Sequence, residues 1–123
     1  MINVTDAQVR ETLHAVVSER PEFVYSSPEY MENDEGLSCF YVHDDEDGNP
    51  VSAGCVVGVV LNRLGVPLEE LKKHEGKTAA QMVKHVVTGA TRSIGIVLSN
   101  VQFDQDEGAS WGEAYAKATG ETI

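Results

Sequence analysis

The chain has 123 residues, 41% of them apolar, with twenty acids against nine Lys and Arg. That length supports one domain around one core, and the net charge of −11 repels nucleic-acid phosphates and anionic membrane surfaces. The expectation is no direct nucleic-acid binding, no membrane association and no cofactor, with a protein partner, a basic one by charge, in their place.

In chain order, Thr5 and Gln8 form a capping-box pattern that starts a first helix. Val9, Leu13, Val16 and Val17 recur on one face of it, and Pro21 stops it near Arg20. Between Arg20 and Arg63 there is no Lys or Arg, while nine acids fall there: Glu22, Glu29, Glu32, Asp34, Glu35, Asp44, Asp45, Glu46 and Asp47. Such a run reads as solvated loops, or as an acidic face that meets a basic partner or mimics nucleic acid. Residues 21–36 suit an irregular segment anchored by Phe23, Tyr25 and Tyr30. From Leu37 to His43 the pattern alternates as in a strand, with Leu37, Cys39, Tyr41 and His43 on one face and Ser38, Phe40 and Val42 on the other. Asp47-Gly48 is a hairpin turn signal, and Pro50-Val51 begins the return strand.

A second helix is expected from Ser52 to Leu64, apolar nearly all round and therefore central. Gly65 ends it and Pro67 opens a short helix carrying Leu68 and Leu71 towards Gly76. Thr78 and Gln81 repeat the capping box before Met82, Val83, Val86 and Val87, and Gly89 breaks that helix. Another carries Ile94, Val97, Leu98 and Val101 and closes at Gly108; Ser110 and Glu113 cap the last, with Trp111, Ala114, Tyr115 and Ala118. The fold class is α+β and predominantly helical: one compact domain over residues 1–123, with five to six helices and a small β-hairpin.

Four groups of residues carry candidate chemistry. Cys55 falls at the start of the second helix, where a thiol pKa is lowered, and His14, His43, His74 or His85 would be its base. The competing reading is a small buried apolar side chain. Asp44, Asp45 and Asp47 at the hairpin tip are candidate binding residues for a basic partner. The run His43 to Gly48 lacks the ligand order of a calcium loop, and Cys39, His43 and Cys55 lack the spacing of structural zinc, so no metal is expected. Gln102, Gln105 and Asp106 share a helix face shortly before Trp111. Together they would bind a ligand or partner strand. Alternatively they form a helix–turn–helix corner in which Trp111 fills the core and the amides satisfy backbone groups. Two cysteines outside any CxxC, with no signal-peptide pattern, fit a cytoplasmic protein with reduced thiols. Phe23, Tyr25, Tyr30 and Phe40 are candidates for a homodimer surface.

The segments GCVVGVVLNRLGVPLEEL and VQFDQDEGASWGEAYAKA resemble a set of small uncharacterised proteins of actinobacteria and their bacteriophages. The matching positions are Gly54, Cys55, Gly58, Leu64, Gly65 and Val66, then Gln102, Gln105, Asp106, Gly108, Trp111, Gly112 and Ala114. The upstream PEFVY and CFYVH segments look similar as well. The resemblance implies a small accessory protein, phage-encoded and acting in the bacterial cytoplasm, and it implies no chemistry. The expected function is a non-enzymatic protein-interaction factor acting on a host protein. The alternatives are a cysteine-dependent enzyme using Cys55 and an acidic nucleic-acid mimic using Glu22 to Asp47.

Overall fold

The computed structural model describes residues 1–27 and 40–123. Among these the order is β1 (Ile2–Asn3), α1 (Asp6–Glu19), β2 (Val42–Asp44), β3 (Pro50–Ala53), α2 (Val56–Leu64), α3 (Leu68–Lys72), α4 (Ala79–Val86), β4 (Val87–Thr88), α5 (Arg92–Asp106) and α6 (Trp111–Thr119). The fold is predominantly helical α+β, as the periodicity implies. Both capping boxes form: the Thr5 and Thr78 side chains accept from Gln8 and Gln81 backbone N–H groups, and the glutamines bond back. The stripe Val9, Leu13, Val16 and Val17 is buried, and α1 ends at Arg20.

Helix α2 lies at the centre. Val56, Val57, Val60 and Leu61 have no exposure, and α1, α3, α5 and β3 all pack against it. It begins later than its apolar run suggests. Ser52 and Ala53 belong to β3, and Cys55 is the N-cap. The apolar composition of this stretch suits a buried strand end as well as a helix, so composition could not place the boundary. Gly65 closes α2 in the left-handed region, φ +118°.

β2 and β3 form the expected antiparallel hairpin, with Val42 opposite Ala53, His43 opposite Ser52 and a register shift between His43 and Asp44. The expected two-faced alternation does not extend to Phe40 and Val42. Phe40, Tyr41 and Val42 are all buried, because the segment is covered on both sides. Leu37, Ser38 and Cys39 lie outside the described residues, as do Tyr30, Glu29, Glu32, Asp34 and Glu35. A second sheet has no sequence signature: β1 pairs in parallel with β4, Ile2 with Val87 and Asn3 with Thr88, and ties the start of the chain to the end of α4.

The glycines of the first resembling segment are docking points. A Cβ on Gly58 would overlap the Tyr41 carbonyl oxygen, and one on Gly54 would meet the Phe40 carbonyl and lie 2.6 Å from the His43 ring. Gly54 and Cys55 N–H groups donate to the Tyr41 and Phe40 carbonyls at 2.9 Å each. The strand entering the hairpin is thus pressed against the first turn of α2.

Candidate functional site

The second resembling segment meets the same end of α2 from the other side. The first N–H groups of a helix lack intrahelical partners, and Cys55 makes no side-chain cap. Helix α5 supplies the cap. Gln105 Oε1 accepts from Val56 N at 2.9 Å, and Gln102 Oε1 accepts from Val57 N at 3.4 Å. Gln105 Oε1 also accepts from Trp111 Nε1 at 3.1 Å, while its amide donates to Asp106 Oδ1 at 3.0 Å. Gln102, Gln105 and Trp111 are 7%, 2% and 1% exposed. Gln102, Gln105 and Trp111 therefore form an interior corner, with amides serving backbone donors and the indole filling the core, while Asp106 stands at its exposed edge. Trp111 and Gly112 N–H groups donate to the Phe23 and Pro21 carbonyls at 2.9 and 2.7 Å.

Cys55 is fully buried in the same cluster. Among the described residues no hydrogen bond joins its thiol to a histidine. His14 faces Tyr115 edge-on, His74 stacks on His85 with centroids 5.0 Å apart, and His43 is held elsewhere. A nucleophile must reach a substrate, and this thiol faces the core. In a Cys39→Ser background, Cys55 should react with a thiol reagent at neutral pH only on the timescale of unfolding; rapid labelling of the folded protein would contradict this placement.

Of the candidate homodimer aromatics, Phe23, Tyr25 and Phe40 are engaged internally, and Tyr30 lies outside the described residues. Phe23 packs edge-on to Trp111 at 4.8 Å, with the Arg20 guanidinium 3.8 Å over its ring. Phe40 is buried. The Tyr25 hydroxyl accepts from Phe40 N at 3.1 Å and shares a hydrogen bond with His43 Nε2 at 2.8 Å. Burial pushes the His43 imidazole below its usual pKa and so favours the neutral ring.

The hairpin tip is the site that stays open. A cleft of about 430 Å³ runs between the hairpin and α3, lined by Phe40, Asp44, Asp45, Glu46, Gly48, Lys72 and Glu75. Its acids differ in availability. Asp45 is spent on its own turn: Oδ1 accepts from Asp47 N and Asn49 N at 2.9 Å each, which holds its carboxyl below the usual range. Asp44 lies 3.3 Å from Lys72 Nζ, which also donates to the Gly48 carbonyl at 2.5 Å. Glu46 and Asp47 are exposed.

Glu75 was not legible as a site residue. It sits in a run, Lys72-Lys73-His74-Glu75-Gly76-Lys77, that reads as solvated. Its Oε1 accepts from Tyr41 N at 2.8 Å and its Oε2 from Val42 N at 3.1 Å, joining the turn after α3 to the start of the hairpin. Burial, aided by the Asp44 charge, outweighs those two N–H bonds and Lys72, and raises its pKa to about 7.

Another hollow, of about 490 Å³, opens between α4 and the start of α5 and is lined by Ala80, Val83, Lys84, Val87, Arg92 and Gly95 among others. Among the described residues, no helix is long and apolar enough to cross a membrane. No family model, curated protein or solved structure matches the chain.

Proposed function

We propose that the chain is a non-enzymatic interaction factor whose acidic cleft receives a basic group of a partner protein. In keeping with the motif resemblance, the partner would be a host protein in a bacterial cytoplasm and the factor phage-encoded. One observation carries this reading: four carboxyl groups, Asp44, Asp45, Glu46 and Glu75, line one cleft against a single ammonium, Lys72. A Lys or Arg side chain entering there meets excess negative charge.

The division of labour among the acids selects the test. Reversing Asp44 or Asp45 would disturb the hairpin itself, whereas Glu46 and Asp47 are exposed. Tagged wild type and a Glu46→Lys/Asp47→Lys variant would be used to capture partners from an actinobacterial lysate, with circular dichroism confirming the fold of both. One stoichiometric basic partner, lost in the variant, is the expected result; a partner retained by the variant places the interface elsewhere. An entering cation also favours ionised Glu75, so binding should release protons near neutrality and be tighter at pH 8 than at pH 6.

A further inference from the structure

Helix α5 carries a second feature, on the side away from its buried residues. Its buried residues are Ile94, Gly95, Leu98, Val101, Gln102, Asp104 and Gln105. Arg92, Ile96, Asn100, Phe103 and Glu107 recur every three or four residues on the opposite face, and all five are exposed. Two of them are large and apolar: Ile96 is 47% exposed and Phe103 is 61% exposed. They stand seven positions apart, which aligns them on nearly the same line along the helix. A solvated face opposite a core stripe ordinarily carries polar side chains, so an apolar pair at this spacing has the character of a helix-packing seam.

The ends of the stripe say what covers it. Arg92 lies at the positive end of α5 and Glu107 at its C-cap, and neither belongs to an ion pair among the described residues. Four positions separate Arg92 from Ile96, and four separate Phe103 from Glu107. The stripe is therefore complementary to itself when reversed. Laid antiparallel on a second α5, Arg92 meets Glu107 of the second copy and Ile96 meets Phe103 of the second copy. Asn100 lies near the centre, and Glu107 of the first copy meets Arg92 of the second. A two-fold axis through the middle of the helix generates each contact twice, as an isologous interface requires.

We infer that α5 pairs antiparallel with α5 of a second copy of this chain, with Ile96 and Phe103 at the seam and Arg92–Glu107 ion pairs at both ends. The contact is independent of the acidic cleft, so either can fail without the other. One helix-on-helix contact lies at the low end of interface sizes, below roughly 1,200 Å², which corresponds to weak association. Each copy also brings a net charge of −11, so the general repulsion of the two copies opposes the local pairs.

The test is sedimentation velocity over a concentration series up to about 0.5 mM in physiological salt. The wild type should move from monomer to dimer, and Phe103→Asp should weaken the dimer at least about tenfold, since it puts a carboxylate into the seam beside Ile96. Arg92→Glu and Glu107→Arg should each weaken it, because like charges then meet at both ends. An equimolar mixture of these two variants should recover a heterodimer, because every end pair is again opposite in sign. All the altered side chains are exposed, and unchanged circular dichroism confirms that the fold is kept. A wild type that stays monomeric throughout overturns the inference, as does a dimer indifferent to Phe103→Asp. Failure of the two charge variants to recover association on mixing overturns the antiparallel register.

Discussion

Gln105→Met is expected to destabilise the protein by roughly 3–5 kcal/mol, a large share of the 5–15 kcal/mol typical of a domain. Methionine has nearly the same length but no strong acceptor. The change leaves two buried donors, Val56 N–H and Trp111 Nε1–H, without the oxygen that now takes both. Each orphaned donor costs about 1–3 kcal/mol, and the side chain is 2% exposed, so water does not replace the lost bonds. Gln102→Met provides the scale. The bond from Val57 N to Gln102 is longer, at 3.4 Å, so losing that bond should cost less, about 1 kcal/mol. Urea unfolding followed by far-ultraviolet circular dichroism and by Trp111 fluorescence would measure both. Equal and small effects, below about 1 kcal/mol each, would show that α2 does not depend on this cap.

This arrangement explains why so much of the fold was legible and why the corner was not fully so. Helices α1, α4 and α6 announce themselves through local devices: Thr5 with Gln8, Thr78 with Gln81, and Ser110 with Glu113. These depend on neighbours three residues away and survive in any tertiary setting. The start of α2 is different. Its cap comes from Gln102 and Gln105, 45 and 49 positions downstream, and its own N-cap, Cys55, supplies no bond. No local pattern could mark that boundary. The pairing of β1 with β4 was hidden for a related reason, since two-residue strands have too few side chains to show alternation.

The candidate site divides in the same way. Asp44, Asp45 and Asp47 were readable as one acidic tip from composition, but composition treats them alike. The turn geometry separates Asp45, which holds the loop, from Glu46 and Asp47, which face solvent. Cys55 was readable as a helix-start thiol, yet its complete burial depends on α2 lying in the middle of the other helices. Gly54 and Gly58 were readable only as positions of the resemblance, yet each admits a close approach. What approaches is the backbone of Phe40 and Tyr41. Gly54 and Gly58 of one resembling segment and Gln102 and Gln105 of the other thus converge on one structural task, docking and capping the first turn of α2. That task accounts for the residue types at these four positions.

Glu75 gives the other large effect, through pH. Its folded pKa of about 7 lies above the ordinary 4.5, with burial as the main cause. Between those values the folded chain holds a proton that the unfolded chain has released, so this group makes stability fall as pH rises from about 4.5 to 7 and adds no further slope above. Asp6, Glu19, Asp45 and Glu70 are shifted the opposite way by their hydrogen bonds, and their contributions are lost as pH falls through the acid range. Stability should therefore peak in mild acid rather than at neutrality. Glu75→Gln isolates the buried carboxyl. The amide offers one oxygen to the Tyr41 and Val42 N–H groups and turns an N–H₂ towards them, which costs stability at every pH. It cannot titrate, so the gap between wild type and variant should shrink by roughly 1–2 kcal/mol from pH 5 to pH 8, with solvent screening of a partly exposed group allowed for. Chemical denaturation of both proteins at several pH values would measure that gap, and the repulsion of the remaining acids largely cancels in the difference. A gap that widens towards pH 8 would mean that the two N–H bonds outweigh burial. The carboxylate would then be the favoured form at neutrality, and the cleft would be fully charged before any partner arrived.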